Sequence, residues 1–78
     1  MNRNEMIKKY DFENKTFTAR ELDEIVHDIN EANNWDIDKF ISFDTVTINS
    51  WQINFWGLDE NIIFQRIGEL SSEFKAVL

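Results

Sequence analysis

The spacing of the apolar residues changes along this chain from a helical period to a strand period, and that change restricts the chain to a mixed α and β fold. Thr18 followed by Glu21 forms a capping box, in which each side chain satisfies a free backbone donor at a helix start. The apolar residues that follow recur at the three- and four-residue steps of one helical face: Leu22, Ile25, Val26 and Ile29. This pattern predicts a helix from about residue 19 to residue 33.

In residues 40–56 the apolar period becomes two, which indicates strands. The residues in phase with one another are Val46, Ile48, Trp51, Ile53 and Phe55. A two-residue turn at Asn49 and Ser50 would pair Ile48 with Trp51 and place all five large side chains on one face. The sequence therefore predicts a β-hairpin with these residues toward the core.

Three apolar residues of the same region are out of phase with that face. Ile41 and Phe43 have the opposite parity, which predicts a bulge near Asp44 or a separate short strand. By the same parity Trp56 points away from the face that holds Trp51 and Phe55. An exposed tryptophan is a frequent interface anchor, so Trp56 is a candidate partner-binding residue.

Two further segments have helical spacing. In the first ten residues Met6, Ile7 and Tyr10 fall on one side of a short helix. After Gly57, Asp59 is a suitable N-cap, and apolar residues recur at four, three, four and three: Ile63, Ile67, Leu70, Phe74 and Val77. The pattern predicts a C-terminal amphipathic helix.

Together these elements predict one α+β domain spanning residues 1–78. The expected order is short helix, helix, β-hairpin, helix, with two amphipathic helices packed on one face of an antiparallel sheet in two layers. The hairpin face is expected to share its core with helix residues Ile25, Ile29, Ile67 and Leu70.

The size and composition limit the function classes. A chain of 78 residues buries only about 60–65% of its unfolded surface, so its stability margin is small. The absence of cysteine excludes disulfides, thiolate nucleophiles and sulfur-ligated metals, and it is typical of a reducing compartment. With no long apolar run, the expected location is the cytoplasm and no membrane partner is expected.

The residues that could support catalysis or metal binding are few. His27, the only histidine, lies four residues from Asp23 and from Glu31, a trio more typical of a solvated helix face than of a metal site. The run Asn34, Asp36, Asp38 alternates like a calcium loop but has Lys39 where the loop requires glycine and Thr45 where it requires glutamate. The sequence predicts no catalytic residues, no metal and no cofactor, and hence no enzyme.

The negative charge is concentrated in one segment. Residues 21–44 carry eight acids and one base, whereas the remainder carries seven acids and seven bases, so the whole net charge of −7 lies there. Four of these acids fall within about 80° of one another on a helical wheel, three and four residues apart: Glu21, Glu24, Asp28 and Glu31. Like charges at that spacing destabilise a helix slightly, so the stripe is either a solubility device or a binding surface.

The small size, the lack of cysteine, the α+β pattern and the acidic segment from Glu21 to Asp44 resemble the small acidic inhibitors of phages and mobile elements, including anti-CRISPR proteins and other DNA mimics. The resemblance implies a protein partner with a basic surface, such as a nucleic-acid-binding complex, and no direct binding of nucleic acid. The expected contact residues are Glu21, Glu24, Asp28, Glu31, Asp36, Asp38 and Trp56. The alternative is an interaction or assembly module, such as an antitoxin, an immunity protein or a homodimer subunit.

Overall fold

The computed structural model describes all 78 residues, which form two helices and one five-stranded antiparallel sheet. The predicted α+β class is confirmed. The elements in chain order are α1 (Arg3–Tyr10), β1 (Thr16–Thr18), α2 (Ala19–Ala32), a 3₁₀ turn (Ile37–Lys39), β2 (Ile41–Thr47), β3 (Ser50–Phe55), β4 (Glu60–Arg66) and β5 (Glu73–Val77).

Both predicted N-terminal elements are present. Helix α2 begins at the predicted capping box, with Thr18 and Glu21 bonding each other's backbone N–H groups, and ends one residue before the predicted boundary. Helix α1 has a capping box of its own, which the sequence reasoning missed: Asn2 Oδ1 accepts from the Glu5 N–H at 2.9 Å, and the Glu5 carboxylate accepts in return. Asparagine fills the N-cap position here as readily as serine or threonine.

The β2–β3 hairpin forms as predicted, but its turn and register differ. The turn residues are 48–49, and Thr47 lies opposite Ser50. A bulge between Thr45 and Thr47 shifts the phase of the strand. The bulge thus lies only one or two positions closer to the turn than the predicted bulge near Asp44. This small displacement matters, because side chains change faces at a bulge and its position therefore decides which residues are buried.

Because of that register, the predicted burial of Val46 and Ile48 is wrong. Val46 is exposed, and Ile48 is 83% exposed at the turn. Ile41 and Phe43 take their places on the core face, opposite β3. The predicted positions on β3 itself are confirmed for Ile53 and Phe55, which are buried, and Trp51 is half-buried on the same face.

The predicted C-terminal helix is wrong, because that segment forms strands β4 and β5. Asp59 is not an N-cap but a residue with left-handed φ of 52° in the turn between β3 and β4. The expected core residues Ile67 and Leu70 lie in the β4–β5 connection, where Leu70 is 100% exposed. Side chains from β4 and β5, Ile62, Phe64 and Phe74, occupy the core instead.

The physical reason lies in two competing preferences of the same residues. Asn61 is followed by Ile62, Ile63 and Phe64, a β-branched and aromatic run that fits a pleated sheet better than a helix. Pairing with β3, in which Ile53 lies opposite Ile62, supplies the tertiary contacts that override the helical spacing.

The strands are arranged in the order β1-β5-β4-β3-β2, so β1 and β2 are the two edges. Helix α2 contacts both edge strands and therefore crosses the sheet from one side to the other, while α1 contacts β4. Both helices and the sheet contribute to one buried cluster: Met6, Phe12, Phe17, Leu22, Val26, Ile29, Ile41, Ile53, Phe55, Ile62, Phe64 and Phe74. No helix in the structure combines the length and the apolar character required to cross a membrane.

Candidate interaction surface

The outer side of α2 carries the four acids that the sequence singled out, and we call Glu21, Glu24, Asp28 and Glu31 the acidic face. All four are exposed, because the residues that α2 buries against the sheet lie on the opposite side of the helix. Glu21 also has a structural role, since its carboxylate accepts from the Thr18 N–H at 2.9 Å. Glu24 lies 3.6 Å from Arg20 Nε, an exposed ion pair of the kind that contributes little stability.

Asp28 and Glu31, the remaining two acids of the acidic face, lie close to His27. His27 Nδ1 lies 3.8 Å from an Asp28 oxygen and 3.6 Å from a Glu31 oxygen. Asp23, which the sequence reasoning placed beside His27, is not part of this group. The three ligand atoms lie within 4.8 Å of one another, but all belong to one exposed helix, so water would have to fill the rest of any ion's coordination shell.

Trp35 extends this surface beyond the end of α2, and the sequence reasoning did not identify it. Its φ is 56°, and that of Asn34 before it is 55°, so two successive non-glycine residues are left-handed. A bulky residue in this region is an outlier that carries strain. The Trp35 N–H donates to the Asn30 carbonyl at 2.8 Å, and its ring meets His27 edge to face at 5.3 Å while remaining 52% exposed.

The two acids that follow Trp35 are exposed and belong to the 3₁₀ turn. The Asp36 carboxylate accepts from the Asp38 N–H at 3.0 Å and thereby caps that turn. The alternation that resembled a calcium loop thus corresponds to a local cap in which one carboxylate already has a backbone partner.

Trp56 points away from the core, as its parity predicted, and is 62% exposed. Its Nε1–H donates to Ser42 Oγ at 2.8 Å, and Ser42 Oγ in turn donates to Asp44 Oδ2 at 2.6 Å. Asn54 Nδ2 donates to the same Asp44 oxygen at 2.7 Å. The ring also contacts Phe40 edge to face at 5.4 Å, so a hydrogen bond and an aromatic contact together restrict its orientation.

A close backbone approach joins the segment of Trp35 to that of Trp56. A Cβ placed on Gly57 would lie 2.5 Å from the Asp38 carbonyl oxygen, so only glycine allows the β3–β4 turn to pack against the 3₁₀ turn. Four exposed large apolar residues belong to these two segments, and we call them the apolar end: Trp35, Ile37, Trp56 and Leu58.

A second set of exposed apolar residues lies at the opposite end of the sheet. Arg66 Nη2 donates to the Ile48 carbonyl at 3.0 Å, and its Nη1 donates to the Ser71 carbonyl. The arginine therefore holds the β2–β3 turn beside the β4–β5 connection. Ile48, Ile67 and Leu70 are exposed on these two segments.

The core offers no buried charged group. Asn30 is the one buried polar residue, and both ends of its amide bond the backbone of Ile41. Every buried side-chain nitrogen and oxygen has a partner. Apart from the Asn30 amide, the buried side chains of the domain are therefore apolar.

Comparisons with protein-family models, with curated proteins and with solved structures find no match to this chain.

Proposed function

We propose that this chain is a non-enzymatic protein-binding inhibitor whose acidic face and apolar end occupy a basic cleft of a nucleic-acid-binding protein. The observation that carries the proposal is the placement of the charge. The acidic face lies outward on a helix whose only basic residue is Arg20, at its start, while the rest of the chain outside residues 21–44 is neutral overall.

The spacing of the carboxylates on the acidic face supports binding at a site that otherwise holds the phosphates of a nucleic acid. Eleven helical residues, from Glu21 to Glu31, span about 15 Å at about 1.5 Å per residue. Four carboxylates lie within that length on one side of the helix. A nucleic-acid strand likewise presents a row of single negative charges, about one for each 3.4 Å of axis.

The apolar end adds apolar contact area, which the carboxylates of the acidic face do not provide. Complementary charge mainly accelerates encounter and orients the partners, whereas buried aromatic anchors provide much of the lasting affinity. Trp35 touches His27 on α2 and so extends the acidic face without a gap. Trp56 is held in place by Ser42 and Phe40, so little side-chain freedom remains to be lost on binding.

The experiment that tests the proposal begins with capture of partners from the host lysate and their identification. The binding of a captured protein to double-stranded DNA should then fall as the chain is added, and the effect should weaken as salt rises. Changing Glu24, Asp28 and Glu31 to glutamine should abolish this competition. Glu21 is left intact in this variant because it closes the α2 capping box.

The matched control changes Glu5, Glu13 and Glu69 to glutamine, which removes the same charge from exposed positions elsewhere. Glutamine can still close the α1 capping box at position 5. Equal loss in both variants would reduce the effect to net charge, and undiminished competition by the α2 variant would refute the acidic face as the binding surface.

The alternative function, an interaction or assembly module, is favoured by one observation: Arg66 bonds the carbonyls of Ile48 and Ser71 and so brings together two turns that carry exposed apolar residues. Association through that end should persist at high salt, since it depends on apolar burial. Sedimentation at low and high salt, with Leu70→Asp as the disrupting variant, separates this function from electrostatic capture.

A further inference from the structure

The edge strand β2 leaves part of its backbone without a neighbour. The Trp56 N–H donates to the Phe40 carbonyl at 3.1 Å, so that carbonyl points toward β3. Because backbone groups alternate in direction along a strand, those of Ile41, Phe43 and Thr45 point away from β3. No strand lies on that side, since β2 is the end of the sheet.

Only the first of these three positions is covered. Asn30 of α2 donates to the Ile41 carbonyl at 2.8 Å and accepts from the Ile41 N–H at 3.0 Å, as a neighbouring strand would. Phe43 and Thr45 follow on the same side before the bulge between Thr45 and Thr47 ends the regular register. The open part of the edge is therefore short and has defined limits.

The edge is protected at its two limits by Asn30 and by the bulge, but not between them. Native edge strands are commonly shortened or carry lysine or proline, which discourages pairing with another chain. The other edge, β1, has only three residues, whereas β2 has seven and contains neither lysine, arginine nor proline. Its one charged residue is Asp44, whose side chain lies on the open face of the sheet with Trp56, Ser42 and Asn54.

A groove runs beside this edge, between α2 and β2. Its lining includes Asp23 and His27 from the helix, Trp35 from the loop, and Phe40 and Phe43 from the sheet side. An added strand would alternate its side chains between this groove and the open face. The groove has aromatic side chains on its sheet side and one carboxylate, that of Asp23, on its helix side, and Asp44 supplies a negative charge on the open face.

Two occupants of the β2 edge can be compared by their charge: a second copy of this chain and a basic segment of another protein. A second copy pairing antiparallel about Asp44 would set that carboxylate opposite its own equivalent, which destabilises a strand pair. It would also bring together two chains of net charge −7. A basic segment would instead place a positive charge beside Asp44.

We infer that β2 accepts an extended basic peptide segment of a partner protein as a sixth strand, bonded to the backbone of Phe43 and Thr45. This mode, strand addition, takes affinity from main-chain hydrogen bonds and specificity from alternate side chains. Basic side chains of the segment lie toward Asp44, and its apolar side chains lie in the groove against Phe43 and Trp35. The inference rests on the proposed function and specifies the conformation of the partner that it implies.

The test uses the full chain and a short synthetic peptide in which lysine and valine alternate. Binding should slow hydrogen exchange of the Phe43 and Thr45 amides, followed by NMR. A second peptide of the same sequence carries N-methyl groups on those alternate residues whose N–H groups would face β2. It keeps its charge but loses these hydrogen-bond donors, and it should bind about tenfold more weakly. Thr45→Pro should weaken binding similarly, because it removes the outward N–H, whereas Thr45→Val should not.

The outcomes separate this inference from the proposed function. Equal binding of the methylated and unmethylated peptides, or no peptide binding, overturns strand addition and leaves the acidic face to be judged by DNA competition. Slowed exchange at Phe43 and Thr45 together with unchanged competition by the α2 variant supports strand addition and refutes the acidic face. Slowed exchange that depends on the concentration of the chain alone would make the occupant a second copy and overturn the inference.

Discussion

Asn30 and Ile41 exchange two hydrogen bonds, in which the side-chain amide of a helix bonds both backbone groups of an edge strand, at 2.8 and 3.0 Å. Both residues are buried, so water does not replace either bond. This pair attaches α2 to β2 and accounts for the one polar side chain within the core.

Replacing Asn30 with leucine should destabilise the domain by about 2–3 kcal/mol, because two buried backbone groups lose their partners. The measurement is the free energy of unfolding from urea titration. Asn4→Leu, at an exposed position of α1, is the matched control and should change the free energy of unfolding by no more than about 0.5 kcal/mol. Similar midpoints for both variants would show that the Asn30 bonds are dispensable.

Ile53→Asp and Ile48→Asp should have opposite outcomes, although the alternating pattern placed both residues on the core face. Ile53 is 0% exposed, so an aspartate there puts an unpaired charge in the core of a small domain and should unfold it. Ile48 lies at the exposed turn, so its replacement should barely change the melting temperature. Circular dichroism during heating measures both, and a strong loss from Ile48→Asp would contradict the observed register.

The two glycines provide another matched pair. Gly57→Ala places a methyl group against the Asp38 carbonyl, a backbone atom that cannot move freely, and should cost about 1–3 kcal/mol. Gly68→Ala meets no atom within 4 Å and should be neutral or stabilise by up to about 1 kcal/mol through the unfolded chain. Urea unfolding of the two variants checks the difference, and equal stability would mean that the two turns do not approach as closely as described.

Local sequence signals were sufficient to predict α1 and α2, but not to predict the strands β4 and β5 in the second half of the chain. The capping box of Thr18 and Glu21 fixes the start of α2 from residues three positions apart, so its boundary could be predicted. The segment after Asp59 has apolar spacing compatible with a helix, and only its pairing with β3 decides for strands. That decision depends on residues distant in sequence, such as Ile53 opposite Ile62.

The hairpin and the candidate surface were likewise predictable only where local sequence signals decide the structure. Alternation predicts the β2–β3 pair and the exposure of Trp56, but a bulge at Thr45 reverses the parity that would bury Val46. The acids of α2 could be placed on one side from periodicity alone. Trp35 could not, because its left-handed backbone follows from how the chain leaves α2 and has no counterpart in residue spacing.

The pairing of β1 with β5 sets the order in which this surface can form. Thr16 Oγ1 donates to the Glu73 carboxylate across 57 residues of chain, whereas β2, β3, β4 and β5 pair through short connections. Contacts between distant residues carry a loop-closure cost and slow folding, so we expect the four-stranded meander of β2 to β5 to assemble before β1 joins. Helix α2 rests on both edges of the sheet and gains its full support only when that distant pair closes. A partly folded chain would therefore carry the same carboxylates on a helix that is not yet held in place by the complete sheet.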